Sequence, residues 1–295
     1  MRELTFVGAV TRDRAREAGK WLAGGAVLYA GAAATALGHP VRVVTVHDDG
    51  FIRPPSTDDW TWQCHPSPAT TQFENVELGE VRRQWLWQRS SPVDCDRVAM
   101  SAWPANGWVV LAPVFDELDL QGALNWCQKL RVGGRCLLPQ GWLRAGSGRQ
   151  WPVEVTPRPR LLEIAGWARD YGVTFDCICL SEAELETEPG VLEILRRATH
   201  VLAVTRGARG ASLFMGKSRL EVGVITASVR DTTGAGDSFA GALIAGLAQD
   251  LELSVAACLA SAAAGLSTER VGVAQLDGAR VLALASSVTV ERFAE

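Results

Sequence analysis

The residues best suited to chemistry lie in one run of nine, Asp-Thr-Thr-Gly-Ala-Gly-Asp-Ser-Phe, from Asp231 to Phe239. Gly234 and Gly236 can adopt backbone angles that are closed to other residues, and they leave N–H groups bare where a helix begins. The helix macrodipole favours an anion at that place. Asp237 falls in the first helical turn, where an ionised carboxylate could take the proton of a nearby hydroxyl. The run therefore predicts an anion hole beside a general base.

A plainer interpretation exists for this run. An isolated Gly-x-Gly-Asp is more often an ordinary turn with an aspartate at a helix start. The full nine-residue pattern is much rarer than that short motif, and it favours the chemical interpretation.

Weaker candidates each have a structural alternative. Asp13 could accept two hydroxyl hydrogen bonds, or be a solvated turn residue. Gly24 and Gly25 could let backbone N–H groups approach a ligand closely, or simply lead into a helix. Ser181 and Glu184 form a capping-box pattern, and capping and metal binding remain equally open. The run from 205 to 210 is a tight turn between strands in either case.

The elements that must position these residues follow a regular order. Strands are expected at 4–7, 41–46, 108–112, 135–138, 175–180 and 199–204, and helices at 26–37, 118–130, 161–171, 235–249, 254–267 and 277–286. Strands that alternate with helices predict an α/β fold with a mostly parallel sheet. Around residues 50–100 the chain is richer in short, mostly antiparallel strands. There Trp60 alternates with Trp62 and Trp85 with Trp87, which predicts strands with one buried face.

Composition excludes several classes of protein. The chain has 295 residues and a formal net charge of −4, which argues against binding nucleic acid through a broad basic surface. No apolar run reaches the ~20 residues of a membrane helix, and the first residues do not have the layout of a signal peptide. The 7 cysteines contain no C-x-x-C pair, and the 4 histidines are scattered. We therefore expect one cytoplasmic domain over residues 1–295, without partners among membranes or nucleic acids.

The chain resembles the ribokinase-like, or PfkB, carbohydrate and nucleoside kinases. The resemblance rests on the run from Asp231 to Phe239 and extends more weakly over nearly the whole chain. The weaker matches are Gly8-x-x-x-x-Asp13, the glycine signature from Gly24 to Gly38, Ser181-x-x-Glu184 in place of N-x-x-E, and Thr205-x-Gly207-x-x-Gly210. The implied fold is a three-layer α/β/α sandwich with a β lid.

The resemblance also implies roles for these residues and names the cosubstrate. Asp237 would be the catalytic base, and Gly234, Ala235 and Gly236 the anion hole. ATP would bind with Mg²⁺ near Thr205, Gly207, Gly210, Ser181 and Glu184, with Glu184 on the metal side. A K⁺-like ion would bind at Asp231 and Thr233, near Ser267 and Gly272. The substrate would lie against Asp13, Gly24, Gly25 and Tyr29.

Departures from the family pattern bear on the expected lid and substrate. Tyr29 stands where an asparagine is usual, and the interval between Asp13 and Gly24 is short, which predicts a reduced lid. These features resemble a smaller branch that contains myo-inositol kinase-like proteins. In that branch Glu74 would lie on a lid strand facing the substrate. Arg144 would contact phosphate or hydroxyl, although a surface arginine is the plainer interpretation.

Three functional hypotheses follow. The first is an ATP-dependent kinase of a small sugar or polyol, with a myo-inositol-like cyclitol favoured. The second is a nucleoside kinase in which Trp60, Trp62 or Phe73 stacks on a base. The third is a kinase-like protein that binds a ligand or partner without turnover. The protein could be a monomer or a homodimer.

Overall fold

The computed structural model describes residues 1–14, 20–78, 81–98, 105–147, 151–273 and 275–294. Its strands are β1 Leu4–Val7, β2 Thr11–Arg14, β3 Trp21–Gly24, β4 Val41–His47, β5 Thr61–Pro66, β6 Thr71–Leu78, β7 Val81–Gln88, β8 Trp108–Leu111, β9 Gly134–Leu137, β10 Arg144–Ser147, β11 Val153–Pro157, β12 Phe175–Ser181, β13 Thr199–Thr205, β14 Ala211–Met215, β15 Ser218–Val222 and β16 Val290–Ala294. They form two sheets of ten and six strands.

The ten-stranded sheet has the order β16-β15-β14-β13-β12-β9-β8-β1-β4-β5. From β13 to β5 every neighbouring pair is parallel, and β14, β15 and β16 add an antiparallel edge. All residues of β1 and β8 are buried, as strands covered on both faces require. Parallel strands end at one edge of a sheet, so the loops that follow them meet there, as a ligand site requires.

The helices cover this sheet. They are α1 Ala26–Ala36, α2 Leu120–Lys129, α3 Leu161–Asp170, α4 Glu182–Leu185, α5 Leu192–Ala198, α6 Ala235–Ala248, α7 Leu253–Ser267 and α8 Gly278–Ala285. Small residues let α1 and α6 approach closely, because a Cβ atom on Gly241 would lie only 2.1 Å from the Ala30 carbonyl oxygen. Within the described ranges, no helix is both long and apolar enough to cross a lipid bilayer.

The second sheet, which we call the lid, has the order β10-β11-β7-β6-β2-β3. The described lid has six strands, and the expectation that it is reduced relative to the family stays a prediction. The short interval between Asp13 and Gly24 does give only the β2–β3 hairpin, but β6 and β7 join it, and β10 and β11 extend it. In the part of β7 whose burial is described, Leu86 is buried and Trp87 is exposed, so the Trp85–Trp87 alternation does not mark a buried face.

A group of three residues, here called the clamp, joins the lid to the ten-stranded sheet. Asp48 follows β4 and accepts two hydrogen bonds of 2.7 Å from the guanidinium of Arg12 on β2. It also accepts the backbone N–H and the hydroxyl of Thr70, both at 2.9 Å, immediately before β6. One carboxylate therefore fixes two lid strands to the end of one strand of the ten-stranded sheet.

Candidate active site

A cleft of about 550 Å³ lies between the lid and the carboxyl ends of the parallel strands. It brings together most of the residues that the sequence predicted for a site. Those lining it are Asp13, Gly25, Tyr29, Arg144, Ser181, Glu184, Thr205, Thr233, Gly234, Gly236 and Asp237. Residues more than 200 positions apart in the chain thus form one cavity.

Two neighbouring residues, Thr11 and Gly24, position the carboxylate of Asp13 in this cleft. It accepts a hydrogen bond from the Thr11 hydroxyl at 2.8 Å. Gly24 pairs with Thr11 across the β2–β3 hairpin, and a Cβ atom there would lie 2.1 Å from Asp13 Oδ2. Gly24 does not line the cleft itself, but it leaves the space that the Asp13 carboxylate occupies.

The start of α6 has the geometry of an anion hole. Gly234 caps the helix with a φ of 77°, in the left-handed region that favours glycine. The first intrahelical hydrogen bond runs from Ser238 N–H to Gly234 O at 2.8 Å. In the described part of the chain the N–H groups of Gly234, Gly236 and Asp237 have no acceptor. The N–H of Ala235 donates to Thr232 O at 3.2 Å and is not available to an anion, contrary to the expectation for Ala235. The N–H of Asp237 is available instead.

Tyr29 packs directly on this hole. A Cβ atom on Gly234 would lie 2.2 Å from Cδ1 of the Tyr29 ring, so the ring lies against the Gly234 backbone. Tyr29 is buried, yet it lines the cleft. The aromatic residue in the glycine signature therefore supports the start of α6.

The half-buried carboxylate of Asp237 lies at the base of the cleft. Burial raises its pKa to about 7; the positive charge of Arg144 lowers it, and the carboxylates of Glu184 and Asp13 raise it further. Desolvation therefore outweighs the single nearby cation, so this carboxylate, which we expected from the sequence to be ionised, is only partly ionised at neutral pH. A carboxylate that titrates near neutral pH is well matched to general-base catalysis.

Arg144 begins β10 and lines the cleft, so the interpretation as a surface arginine is wrong. Its Nη1 donates to the Val114 carbonyl oxygen at 2.8 Å, and its guanidinium lies 5.4 Å from the centre of the Phe73 ring. The guanidinium faces Asp237 closely enough to influence its ionisation. It is the one arginine or lysine among the lining residues that the structure describes.

Ser181 and Glu184 form a complete capping box at the start of α4. Glu184 Oε2 accepts from the Ser181 N–H at 2.7 Å and from its hydroxyl at 2.9 Å, while the Glu184 N–H donates to Ser181 Oγ at 3.3 Å. Both residues also line the cleft. Ser181 and Glu184 therefore do cap α4, and the capping box involves only Oε2 of the Glu184 carboxylate. Among the described residues, no group of three or more His, Cys, Asp or Glu side chains is arranged to hold a metal ion.

The segment from 205 to 210 is the tight turn that the sequence predicted. Thr205 ends β13 and lines the cleft. Gly207 and Gly210 do not line it; both have positive φ, and a Cβ atom on Gly210 would lie 1.9 Å from Val222 O. Arg209 forms an ion pair with Glu182 across the gap to α4. The turn therefore lies beside the cleft opening.

Asp231 also lies outside the lining. Its Oδ1 accepts from Thr233 N–H at 2.9 Å, and its Oδ2 lies 3.5 Å from the Gly272 nitrogen. The carboxylate thus ties the loop before α6 to the loop after α7.

Glu74 is on the wrong face of the lid for a substrate contact. It pairs with Arg14 at 3.1 Å and accepts from Trp87 Nε1 at 2.8 Å, on the side away from the cleft. Its neighbours Phe73 and Asn75 line the cleft, because side chains alternate along a strand. Sequence reasoning missed Asn75 by one position, although the alternation of the lid strand was available as a signal.

A second polar residue of the lid was missed altogether. Gln84 on β7 pairs in register with Asn75 and donates to its Oδ1 at 3.0 Å, and both side chains line the cleft. No motif marks Gln84, so only its pairing across the lid reveals it.

Comparison with known proteins agrees with this geometry. Among solved structures, a pyrophosphate-dependent kinase in the ribokinase family, complexed with a pyrophosphate analog and myo-inositol, has a TM-score of 0.74 at 19% identity and covers 93% of this chain and 98% of its own. The nucleoside kinase of Methanocaldococcus jannaschii has a TM-score of 0.70 at 15% identity, covering 97% and 99%. The fold is therefore the ribokinase-like α/β/α sandwich.

Sequence comparison links part of the chain to a known family. Residues 175–277 match the model of the pfkB family carbohydrate kinases. An 80-residue stretch is 40% identical to the ribokinase of Lactococcus lactis, and covers 27% of each chain. A 201-residue stretch is 26% identical to the bifunctional protein HldE of Trichlorobacter lovleyi, and covers 59% of this chain and 39% of HldE. The likeness to the pfkB family carbohydrate kinases is thus shown for residues 175–277, and the matched stretches span less than half of the length of either relative.

Proposed function

We propose that the protein is an ATP-dependent phosphotransferase that phosphorylates a hydroxyl of a small sugar or polyol, with a myo-inositol-like cyclitol favoured. The observation that carries this proposal is the placement of the Asp237 carboxylate beside bare helix amides in the lining of one cleft. A kinase needs these two groups side by side, one for the proton and one for the charge of the transferred group.

In this mechanism the acceptor lies under the lid with one hydroxyl against Asp237. The carboxylate takes the hydroxyl proton as the oxygen attacks the terminal phosphorus of the donor. The bond between that phosphorus and the bridging oxygen breaks, and ADP leaves. The N–H groups of Gly234, Gly236 and Asp237 stabilise the negative charge of the transferring phosphoryl group. Arg144 adds positive charge on the lid side of the cleft.

The donor would enter from the side of Thr205, Ser181 and Glu184. Mg²⁺ commonly binds through one or two carboxylates together with substrate phosphates, and the oxygen of Glu184 outside the capping box fits that donor set. Bound there, the ion would neutralise phosphate charge. Because a neighbour of the same fold is a pyrophosphate-dependent kinase, pyrophosphate is the donor to test against ATP.

The charge of the cleft favours an uncharged acceptor. Three carboxylates, from Asp13, Glu184 and Asp237, face one described cation, Arg144. A sugar phosphate would bring more negative charge into this surrounding, whereas a polyol offers only hydroxyls. The Asn75–Gln84 pair and Asp13 supply neutral and acidic partners for those hydroxyls.

A nucleoside acceptor is less well supported. Trp60 packs on Gly31 and stacks with Trp62 at 6.3 Å, and neither lines the cleft. Phe73 lines it, but the Arg144 guanidinium covers its ring. Few aromatic faces therefore remain for a base to stack on.

A panel of acceptors tests the proposal. Purified protein is incubated with ATP, or with pyrophosphate, and with myo-inositol, ribose, fructose, adenosine, cytidine or fructose 6-phosphate, and released ADP or phosphate is measured. We expect turnover with a neutral polyol and at least tenfold less with the sugar phosphate. Higher turnover with adenosine or cytidine than with the polyols would show that the acceptor is a nucleoside and would overturn the proposed polyol acceptor. Absence of turnover with every acceptor would favour the non-catalytic hypothesis.

We further propose that a monovalent cation orders the loops joined by Asp231. The loop before α6 carries the hole, so ordering it would act directly on the site. Replacing Na⁺ by K⁺ at constant ionic strength should raise kcat if the ion binds there; equal rates in the two salts would reject the ion.

A further inference from the structure

Glu117 is a buried carboxylate that the mechanism does not use. It is only 4% exposed, yet it forms no ion pair in the described part of the chain. Its partners are backbone amides: Oε1 accepts from Ala9 at 2.9 Å and Val114 at 2.8 Å, and Oε2 accepts from Phe115 at 2.9 Å. Burying a carboxylate is costly in free energy even with such partners. We therefore expect Glu117 to have a role in the structure around it.

One peptide group links this carboxylate to the cleft. The amide between Val114 and Phe115 donates its N–H to Glu117 Oε2, while its carbonyl accepts from Arg144 Nη1 at 2.8 Å. Because the peptide is planar, fixing its N–H also fixes the direction of its carbonyl. Hydrogen bonds in series also polarise one another, which strengthens the grip on the guanidinium.

The same segment holds the turn that leads into Arg144. The Gly141 N–H donates to the Pro113 carbonyl at 2.9 Å, and Trp142 Nε1 donates to the Leu118 carbonyl at 2.7 Å. Both ends of the Arg144 side chain are thus set by residues 113–118. Glu117 is the side chain that holds that segment against the end of β1, through Ala9.

We propose that Glu117 is a positioning residue for Arg144, acting through the Val114–Phe115 peptide group. Arg144 in turn supplies the positive charge beside Asp237, against the carboxylates of Asp13 and Glu184. This inference rests on the proposed function, since the effect is read in turnover.

The test replaces the carboxylate by its amide, Glu117→Gln. The amide nitrogen cannot accept a hydrogen bond, so at least one of the three N–H donors loses its partner. The Arg144 guanidinium then loses its fixed position, and we expect kcat/KM for the acceptor to fall about 10- to 100-fold, with KM for the donor unchanged. The pH at which kcat reaches half its maximum should rise, because Arg144 no longer favours the ionised form of Asp237.

A double-variant cycle separates positioning from general damage. In an Arg144→Gln background, Glu117→Gln should cost less than about twofold in kcat/KM, because the group it positions is already gone. Glu3→Gln is the matched control: Glu3 is a half-buried carboxylate that pairs with Arg42 at 2.9 Å, far from the cleft. It should lower Tm without changing the pH profile.

The outcomes are distinct. Glu117→Gln with wild-type kcat/KM and pH profile, or with equal losses in both backgrounds, overturns the positioning role alone. If Glu117→Gln does not fold, Glu117→Asp takes its place. Aspartate keeps the negative charge on a side chain one methylene shorter, and the same kcat/KM and pH profile are measured. No turnover by the wild-type protein with any acceptor would overturn the proposed function, and this inference with it.

Discussion

The ionisation of Asp237 is set by burial, by one cation and by two neighbouring carboxylates. A pKa near 7 means that the folded protein holds this proton more tightly than the unfolded chain does. The folded state therefore loses stability as the pH rises from about 4, where an unfolded aspartate ionises, to about 7. Above that pH the cost is constant. A group that makes the proposed chemistry possible thus destabilises the fold in which it lies.

Asp237→Asn should remove this cost. We expect its Tm to exceed that of the wild type by roughly 2–5 °C at pH 8, since solvent reaching the half-buried carboxylate limits the gain to about 1–2 kcal/mol. At pH 4 the two proteins should differ least. Thermal unfolding followed by circular dichroism across this range measures the difference, and a difference independent of pH would contradict the raised pKa.

Individual residues differed in how far the sequence could locate them. The run from Asp231 to Phe239 placed Asp237 and its glycines at a helix start because that signal is local. Glu74 was misassigned because a one-residue error exchanges the two faces of a strand. Gln84 and Glu117 carry no motif, and only tertiary contacts give them a place at or near the cleft.

The start of α6 depends on close contact with α1. Gly234 has a φ of 77° and leaves no room for a side chain beside Tyr29. Gly234→Ala is therefore strained twice, by its backbone angle and by collision with the ring. We expect a loss of about 1–3 kcal/mol and at least a 100-fold fall in kcat, measured by chemical denaturation and by product release.

Gly166→Ala provides the matched control for that substitution. Gly166 lies within α3, and a Cβ atom there would meet no atom within 4 Å. This variant should be stabilised by about 0.5–1 kcal/mol, with unchanged kcat. Normal turnover by Gly234→Ala would mean that the start of α6 does not form the hole.

The clamp sets the attachment of the lid. The Arg12 guanidinium and the Thr70 hydroxyl hold the pKa of Asp48 well below its usual range. A carboxyl with a depressed pKa contributes its full stability above about pH 4, where the unfolded group is ionised, and loses it progressively as the pH falls from there through the folded value. The clamp should therefore hold at every pH at which the protein would work.

Asp48→Asn should loosen the lid. We expect unfolding to become easier by about 2 kcal/mol, because the variant leaves Arg12 without its paired charge, and KM for the acceptor to rise several-fold with little change in kcat. Asp250→Asn is the control, since that exposed carboxylate pairs with Arg2 at the surface and its replacement should leave the free energy of unfolding nearly unchanged. Equal effects of the two variants would reject the clamp.

Elements with strong periodicity were predictable to within about two residues. The strand expected at 4–7 is β1, and the helix expected at 26–37 ends at Ala36. The strands β10 and β11 were not expected, because β10 reads Arg-Ala-Gly-Ser and lacks an apolar alternation. They form because β7 offers an edge to pair with, which is a property of the assembled lid.

At the scale of the whole molecule, the two sheets enclose the cleft from opposite sides. The ten-stranded sheet and the helices packed on it position Asp237, Thr205 and Glu184 along one side of the cleft. The lid supplies Asp13, Asn75, Gln84 and Arg144. The fold class was predictable because strands and helices alternate along the chain. The size of the lid was not, since its strands come from three separate parts of the chain. A cytoplasmic location and the monomer-or-dimer alternative stay predictions.

The direct test of this arrangement is the turnover number of Asp237→Asn with the best acceptor of the panel. If Asp237 removes the hydroxyl proton, kcat should fall by at least 1,000-fold, near the range that loss of a general base commonly gives, while the Kd for ATP measured by calorimetry stays within about threefold. Turnover equal to that of the wild type would contradict the role of Asp237 and the mechanism built on it.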